Sequence, residues 1–210
     1  MRILITSGPT RQYIDPVRFL TNASSGQMGA ALAAAALAAG HEVVVVSGPV
    51  LIEYPAEVEL VEVITTRDLL AACQKHFPNC DGAIAAAAPC DYQPAEIYQE
   101  KLAKTGQSLS LELIETPDVA ASLGHSKRPD QWLVVFALET SDHRSRGQAK
   151  LLRKGGELIV VNGPAAMDSA TTEVQVLDKT GTSLGQFGGT KVRVAKELIA
   201  LIENAFSSSS

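Results

Sequence analysis

The sequence has few cysteines and aromatic side chains, and it has no long apolar run. Its three cysteines form no Cys-x-x-Cys pair and have no histidine at metal-ligand spacing, which predicts reduced thiols rather than a disulfide framework or a zinc site. No stretch approaches the roughly 20 apolar residues of a membrane span, and the N-terminus begins without a charged secretory leader. These absences predict a cytoplasmic protein that has no membrane partner.

The formal net charge of −5 argues against nucleic acid or an acidic membrane as the main partner, because a negative surface repels both. An anionic small substrate must therefore meet a local basic cluster. The length of 210 residues, with 46% hydrophobic and 20% charged residues, is typical of one globular domain. We expect this domain to span residues 1–206 and the serines at 207–210 to form a flexible tail.

Short β-branched runs alternate with amphipathic or alanine-rich runs along the chain. This order predicts an α/β fold, a Rossmann-like doubly wound, mainly parallel sheet with helices on both faces. The predicted parallel strands are residues 2–6, 42–47, 58–64, 82–87, 132–137 and 157–161. The predicted helices are residues 26–39, 67–76, 117–124, 144–154 and 190–206. Further strands at 108–114 and in a hairpin of 173–177 with 183–187 predict a small antiparallel extension or a dimer surface.

A long loop follows the first strand and leads into the alanine-rich helix. Ser24, Ser25 and Gly26 stand at the start of this helix, at the carboxyl edge of the sheet, where phosphate or carboxylate binding is favoured. Capping and close packing without a ligand remain an alternative. A nicotinamide or flavin oxidoreductase is another, although the loop is too long for Gly-x-Gly-x-x-Gly and Ser47-Gly48-Pro49 replaces the expected acidic residue after the second strand.

The same loop contains Asp15-Pro16-Val17-Arg18 and then Asn22-x-Ser24-Ser25-Gly26-x-Met28-Gly29, which closely resembles the signature of phosphopantothenoylcysteine synthetases. The resemblance continues in order and spacing as far as residue 162. Its further motifs are Ser47-Gly48-Pro49, Ala86-Ala87-Ala88-Pro89-Cys90-Asp91-Tyr92, Glu100-Lys101-Leu102-Ala103-Lys104, Pro117-Asp118, Phe136-Ala137-Leu138-Glu139-Thr140, and Lys150-Leu151-x-Arg153-Lys154 before Ile159-Val160-Val161-Asn162. Any one of these motifs is a weak signal, whereas the ordered set is specific.

The resemblance implies a ligase of coenzyme A biosynthesis. In that family the carboxylate of 4′-phosphopantothenate attacks the α-phosphorus of a nucleoside triphosphate, giving an acyl-nucleotide and pyrophosphate, and the amine of cysteine then displaces the nucleotide. Bacterial relatives use CTP and eukaryotic relatives accept ATP, and the motif set favours CTP. The resemblance also implies Mg²⁺, a homodimer, and a separate flavin-dependent decarboxylase as a partner.

Three catalytic residues follow from the resemblance: Asn22 supports turnover of the acyl-nucleotide, Arg18 binds a carboxylate or phosphate, and Lys101 belongs to a mobile basic flap. Lys104 matches the last lysine of the flap motif Lys-x-Lys-Lys, but Ala103 stands at its third position, so one charge is missing. Without the resemblance, the alternatives are structural roles without catalysis: a turn or helix cap for Asn22, a surface salt bridge for Arg18 and an exposed loop for the lysines.

The nucleotide site implied by the resemblance combines small, acidic and basic residues. Asp91 would hold Mg²⁺ or order the ribose, and Phe136 would line the base pocket or simply belong to the core. Lys150 and Lys154, spaced i and i+4, would reach the triphosphate from one helix face. The full set is Ser24, Ser25, Gly26, Ala87, Asp91, Lys104, Pro117, Asp118, Val119, Phe136, Lys150 and Lys154. A non-catalytic nucleotide-binding module remains a third reading.

Overall fold

The computed structural model describes residues 1–138, 143–162 and 171–206, and it describes no side chain at 143 or 144. Glu139 and Thr140 of the quoted motifs and the predicted tail at 207–210 lie outside the described residues. The strands are β1 Arg2–Ser7, β2 Arg11–Tyr13, β3 Phe19–Thr21, β4 Glu42–Ser47, β5 Glu59–Glu62, β6 Gly82–Ala85, β7 Tyr92–Pro94, β8 Leu113–Glu115, β9 Trp132–Leu138, β10 Leu158–Asn162, β11 Thr171–Asp178 and β12 Ser183–Thr190.

Eight of these strands form the central sheet, in the order β12-β11-β10-β9-β6-β1-β4-β5. The six strands from β10 to β5 in this order are parallel, and β11 and β12 add an antiparallel edge. The predicted parallel core and the predicted hairpin are confirmed. Because β1 and β6 lie side by side while the chain winds outward from them in opposite directions, a crevice opens at their carboxyl ends.

Helices cover both faces of the sheet, as predicted. They are α1 Gln27–Ala38, α2 Thr66–His76, α3 Val119–Ser126, α4 His143–Lys154 and α5 Lys191–Phe206. Helices α1 and α5 pack together over one face, where Leu32 and Leu198 are buried, and α2, α3 and α4 cover the other, where Leu69, Leu123 and Leu151 are buried. Among the described helices, none has the length and apolar character needed to cross a bilayer.

Two short ribbons at the carboxyl edge differ from the prediction. The strand predicted at 108–114 is confined to β8, and β2, β3 and β7 were not predicted. Each has three residues, too few to show the two-residue periodicity of a strand. The ribbons β2–β3 and β7–β8 belong to residues 10–22 and 90–116, which we call the cap. The Cys90 amide donates to Thr10 Oγ1 at 2.9 Å, and the Tyr98 amide donates to the Ile14 carbonyl at 2.9 Å, so the two halves of the cap are joined.

Gly82→Ala is expected to lower the free energy of unfolding by about 2–3 kcal/mol, because a Cβ at Gly82 would overlap the buried indole ring of Trp132. The indole cannot withdraw easily, since it stacks on Phe206 with ring centroids 5.1 Å apart. Urea unfolding measures the change. The matched control is Gly188→Ala, where the added Cβ would stand at 3.5 Å from Glu173 Cγ, an ordinary contact. Equal midpoints for the two variants would contradict the expected overlap.

Candidate active site

Two adjoining cavities open at the carboxyl edge of the sheet, beside the β1–β6 crevice. The first encloses about 480 Å³ and is lined by the loop 22–29 and by Ala86–Ala88; we call it the serine-loop cavity. The second encloses about 720 Å³ and is lined by residues 115–121 and the basic end of α4; we call it the α3 cavity. Four predicted site residues line both cavities, namely Ala87, Asp91, Phe136 and Lys150.

The N-terminus of α1 forms part of the serine-loop cavity. Its N-cap, Gly26, has φ +75°, its first turn contains no acidic residue, and no side chain caps it. The positive end of the helix dipole and the amide groups of the first turn therefore favour an anion there. The predicted residues Asn22, Ser24, Ser25 and Gly26 all line this cavity.

A chain of hydroxyl groups holds the N-terminus of α1 in place. The Tyr54 hydroxyl donates to Ser7 Oγ at 2.8 Å, and Ser7 Oγ donates to the Gly26 carbonyl at 3.2 Å. A Cβ at Gly29 would overlap the Ser7 side chain, so α1 lies very close to β1. The small residues of the helix allow this close approach.

Asn22 is fixed against the other wall of the crevice. Its Nδ2 donates to the carbonyls of Pro89 at 2.9 Å and Ala88 at 3.3 Å. That wall is in turn held by β1, because the Ala87 amide donates to Thr6 Oγ1 at 3.1 Å and the Ala88 amide donates to the Gly8 carbonyl at 2.9 Å. The Asn22 amide is consequently oriented, with its Nδ2 turned to the backbone.

In the α3 cavity, the predicted pair Asp118 and Lys154 forms an ion pair. Lys154 Nζ lies 2.8 and 3.0 Å from the two Asp118 oxygens, and Asp118 also caps α3 by accepting from the Ala121 amide at 3.0 Å. Burial raises the pKa of Asp118, but the hydrogen bonds from Lys154 and Ala121 outweigh it and leave the pKa below its ordinary value. Pro117 and Val119 line the same cavity, so all four predicted residues lie together.

Asp118→Ala is expected to lower the free energy of unfolding at neutral pH by about 1 kcal/mol, through loss of the N-cap. Since the folded pKa lies below the ordinary 3.8, the carboxylate stabilises the fold above that pH, and the contribution is lost as pH falls through the folded pKa. The difference from wild type should shrink accordingly in acid. Thermal unfolding from neutral pH to about pH 3 measures it. Asp118→Asn keeps a capping acceptor and serves as control; a pH-independent difference for Asp118→Ala would contradict the assignment.

The junction of the cavities combines one carboxylate, Asp91, with one lysine, Lys150. Lys150 reaches both cavities from α4, and Lys154, one helical turn later, lines only the α3 cavity. Mg²⁺ in proteins is commonly held by one or two carboxylates together with phosphate oxygens. Asp91 at the junction fits that pattern, whereas no cluster of three or more potential metal-ligating side chains is found in the described parts of the chain.

Arg18, Lys101 and Lys104 are the predicted residues that line neither cavity. Arg18 Nη1 donates to Asp15 Oδ2 at 2.9 Å, and its Nη2 donates to the Leu102 carbonyl at 3.0 Å. Lys101 and Lys104 are exposed, in a stretch from 95 to 112 without helix or strand. The structure therefore places Arg18 and the lysine segment next to each other, and the catalytic roles assigned to them stay predictions.

Sequence reasoning missed several residues that line the cavities. Lys191, the first residue of α5, lines the serine-loop cavity and donates from Nζ to Gln27 Oε1 at 3.3 Å, across 164 positions of sequence. Thr172 lines the same cavity, and Arg153 and His125 line the α3 cavity. No local motif marks Lys191 or Thr172, because only the antiparallel edge of the sheet brings them to the crevice.

Comparison with known proteins finds one family model and several longer curated proteins that match this chain. The family model of the DNA/pantothenate metabolism flavoprotein C-terminal domain matches residues 1–206. The chain is 38% identical to a cysteine/cysteine sulfinic acid decarboxylase of an unknown prokaryotic organism, covering 96% of this chain and 57% of that protein. It is 39% identical to the coenzyme A biosynthesis bifunctional protein CoaBC of Vibrio cholerae, covering 77% of this chain and 41% of that protein. The chain thus spans about half the length of these curated relatives.

Solved structures agree over almost the whole chain. The crystal structure of the C-terminal domain of CoaBC is 38% identical, has a TM-score of 0.84 and covers 98% of this chain and 95% of that chain. A complex of the Cab2 mutant H337A with phosphopantothenate-cysteine is 16% identical, has a TM-score of 0.81, covers 98% of this chain and 86% of that chain, and shares the fold. On this evidence the chain belongs to the family of DNA/pantothenate metabolism flavoprotein C-terminal domains.

Proposed function

We propose that this chain is a phosphopantothenate–cysteine ligase, which joins 4′-phosphopantothenate to cysteine through an acyl-nucleotide and releases pyrophosphate. The observation that carries the proposal is the pair of cavities that meet at Asp91 and Lys150, one walled by Asn22 and the α1 N-terminus, the other by the Asp118–Lys154 pair. The serine-loop cavity has Lys150 and Lys191 against Asp91, and the α3 cavity adds Arg153 and Lys154, so cations are available in both cavities for two anionic substrates. Family membership, the CoaBC relatives and the ligand named for the Cab2 complex support the same activity.

The nucleoside belongs in the α3 cavity, in this proposal. Phe136 and the segment Pro117–Val119 line it with apolar and backbone groups, which suits a base and its ribose. The triphosphate then runs past Lys150 towards the α1 N-terminus, where cations and amide groups offset its charge. Asp91 would hold Mg²⁺ at the junction, and a bound Mg²⁺ would neutralise charge on the phosphates. We propose CTP as the nucleotide, as the motif set of the sequence implies.

The chemistry divides into two steps. A carboxylate oxygen of 4′-phosphopantothenate attacks the α-phosphorus, and the bond to pyrophosphate breaks. The cysteine nitrogen then attacks the acyl carbon, the nucleoside monophosphate leaves, and the amine gives up a proton. Because Asn22 Nδ2 is turned to the Ala88 and Pro89 carbonyls, the atom left to act is Oδ1, which accepts a hydrogen bond from the attacking amine and orients it.

We also propose that the protein is a homodimer that associates through the cap. All three residues of β8 are exposed, so neither face of the β7–β8 ribbon is fully covered within the chain. Exposed apolar side chains cluster in the cap sequence at Tyr92, Ile97, Leu109, Leu113 and Ile114. Light scattering should give twice the 22.2 kDa mass of the chain, and Ile114→Glu should shift it to the monomer mass. A flavin-dependent decarboxylase, on the same or another chain, is the proposed consumer of the product.

The oxidoreductase reading has less support. A dinucleotide loop needs a tight turn between the first strand and the first helix. Here β1 ends at Ser7 and α1 begins at Gln27, and the β2–β3 ribbon lies between them. This connection is too long for the glycine turn, so the ligase remains the function that the geometry supports best.

The direct test is pyrophosphate release by the purified protein with 4′-phosphopantothenate, cysteine and Mg²⁺, comparing CTP with ATP. We expect release that requires 4′-phosphopantothenate and is faster with CTP. Faster release with ATP would keep the ligase and overturn the choice of nucleotide. Absence of release with both nucleotides would contradict the proposed function.

A further inference from the structure

Asp15 is a fully buried carboxylate in the cap, and each of its two oxygens accepts two hydrogen bonds. Oδ1 accepts from the amides of Val17 and Arg18, each at 2.8 Å. Oδ2 accepts from Arg18 Nη1 at 2.9 Å and from the amide of Leu102 at 3.1 Å. A buried charge is costly unless it is satisfied in this way, so the four bonds define the position of each donor.

The four donors belong to two segments that are far apart in sequence. Val17 and Arg18 lie in the loop that leads to Asn22, whereas Leu102 lies directly after Lys101, in the stretch without helix or strand. The guanidinium group of Arg18 also bonds to Leu102 directly, because its Nη2 donates to the Leu102 carbonyl at 3.0 Å. Leu102 is therefore held through both its amide and its carbonyl, while Lys101 and Lys104 on either side are exposed.

We propose that Asp15 is a positioning residue, which with Arg18 anchors the root of the lysine segment 101–104 to the Asn22 loop and so sets the reach of Lys101. The inference rests on the proposed ligase function for its catalytic consequence, while the anchor itself is a property of the fold. Burial raises the pKa of Asp15, but the amide hydrogen bonds of Val17, Arg18 and Leu102 outweigh it, and the pKa stays below its ordinary value. The anchor is consequently charged at neutral pH.

The anchor matters more because Ala103 replaces a lysine in the lysine motif. With Ala103 at its third position, the segment presents Lys101 and Lys104 only. When a segment carries fewer cations, a cation lies at the phosphates for a smaller fraction of the time. Fixing the root of the segment offsets this loss, because it limits the positions that the remaining cations can take. Anchoring Leu102 restricts Lys101, its immediate neighbour, more than it restricts Lys104.

Asp15→Asn is the informative substitution, because an amide cannot replace this carboxylate in either orientation. Each side of the group faces two donors, so the NH₂ of asparagine meets two N–H groups whichever way it is turned. We expect trypsin to cleave after Lys101 and Lys104 about tenfold faster or more in Asp15→Asn, since a hydrogen bond to a charged group is lost at the root. Fragment masses identify the cleavage sites.

Asp130→Asn is the matched control. Asp130 is also paired with an arginine, Arg128, but it lies just before β9, at the opposite edge of the sheet. We expect Asp130→Asn to leave cleavage after Lys101 at the wild-type rate. Unchanged cleavage after Lys101 and Lys104 in Asp15→Asn, or a rise that is equal at all cleavage sites of the chain, would overturn the anchor.

A double-mutant cycle separates positioning from general stability. If Asp15 acts through Lys101, Asp15→Asn lowers kcat about tenfold or more in the wild-type background and within about twofold in the Lys101→Ala background. Additive losses, or a loss that follows the melting temperature, would overturn the positioning role. If the wild type forms no product, the proposed function fails instead, and the cleavage ratio still decides whether Asp15 anchors the segment.

Discussion

Asn22→Ala is expected to lower kcat for ligation by about 10²–10³-fold, the loss typical of removing one oriented polar group from a reacting centre. The Asn22 amide is held by the carbonyls of Ala88 and Pro89, so its Oδ1 has a defined position in the serine-loop cavity. Removing it leaves the attacking amine without an orienting acceptor, but leaves the phosphates and their lysines untouched. Nucleotide affinity should therefore change little.

The step affected distinguishes this role from a merely structural one. In Asn22→Ala we expect pyrophosphate release to stop after about one equivalent per site, with the acyl-nucleotide accumulating, because the second step is the slow one. Rapid-quench analysis measures the bound intermediate. Asn204→Ala, at an exposed position near the end of α5, is the matched control and should behave as wild type. Normal turnover by Asn22→Ala would contradict the assignment.

Lys101→Ala is expected to lower kcat by about 10²-fold, as loss of a cation that meets negative charge in the transition state. In contrast to Asn22→Ala, both steps should slow, because the phosphoryl groups take part in each. Lys101 reaches neither cavity in the present arrangement, so the prediction requires the segment to close over the bound substrates. The first-turnover rate of pyrophosphate release measures the effect.

Two other lysines serve as references for Lys101. Lys104→Ala should cost about tenfold or less, since Lys104 lies further from the Leu102 anchor. Lys196→Ala, at an exposed position of α5, changes the same charge outside the site and should leave kcat unaltered. An effect of Lys101→Ala no larger than that of Lys196→Ala would show that the segment takes no part in catalysis.

The parallel core could be predicted from sequence because its strands are long enough to show a pattern. Glu42–Ser47 and Trp132–Leu138, for example, are apolar or β-branched over nearly every position and are buried in the sheet. The strands of the cap could not be predicted in this way. Tyr92–Pro94 and Leu113–Glu115 are far apart in sequence, and their pairing is extended by backbone hydrogen bonds from Ala95 to Glu112 and from Thr116 to Asp91, each at 2.9 Å, which no local pattern reveals.

The candidate site was predictable where its residues are close in sequence. The loop from Asn22 to Gly26 and the pair Lys150 and Lys154 could be recognised from local motifs, and the structure brings them to the same crevice. Lys191 could not be recognised, because its place depends on how the antiparallel edge of the sheet returns α5 to α1. The burial of Asp15 was equally hidden, since a charged residue in a loop is exposed in most proteins.

The most direct test of the central claim is the mass of the product formed by the purified protein from 4′-phosphopantothenate and isotopically labelled cysteine, with CTP and Mg²⁺. The account predicts phosphopantothenoylcysteine that carries the label, formed in equal amount to CMP and formed about 10²–10³-fold more slowly by Asn22→Ala. No labelled amide with either CTP or ATP, from protein that unfolds cooperatively, would contradict it.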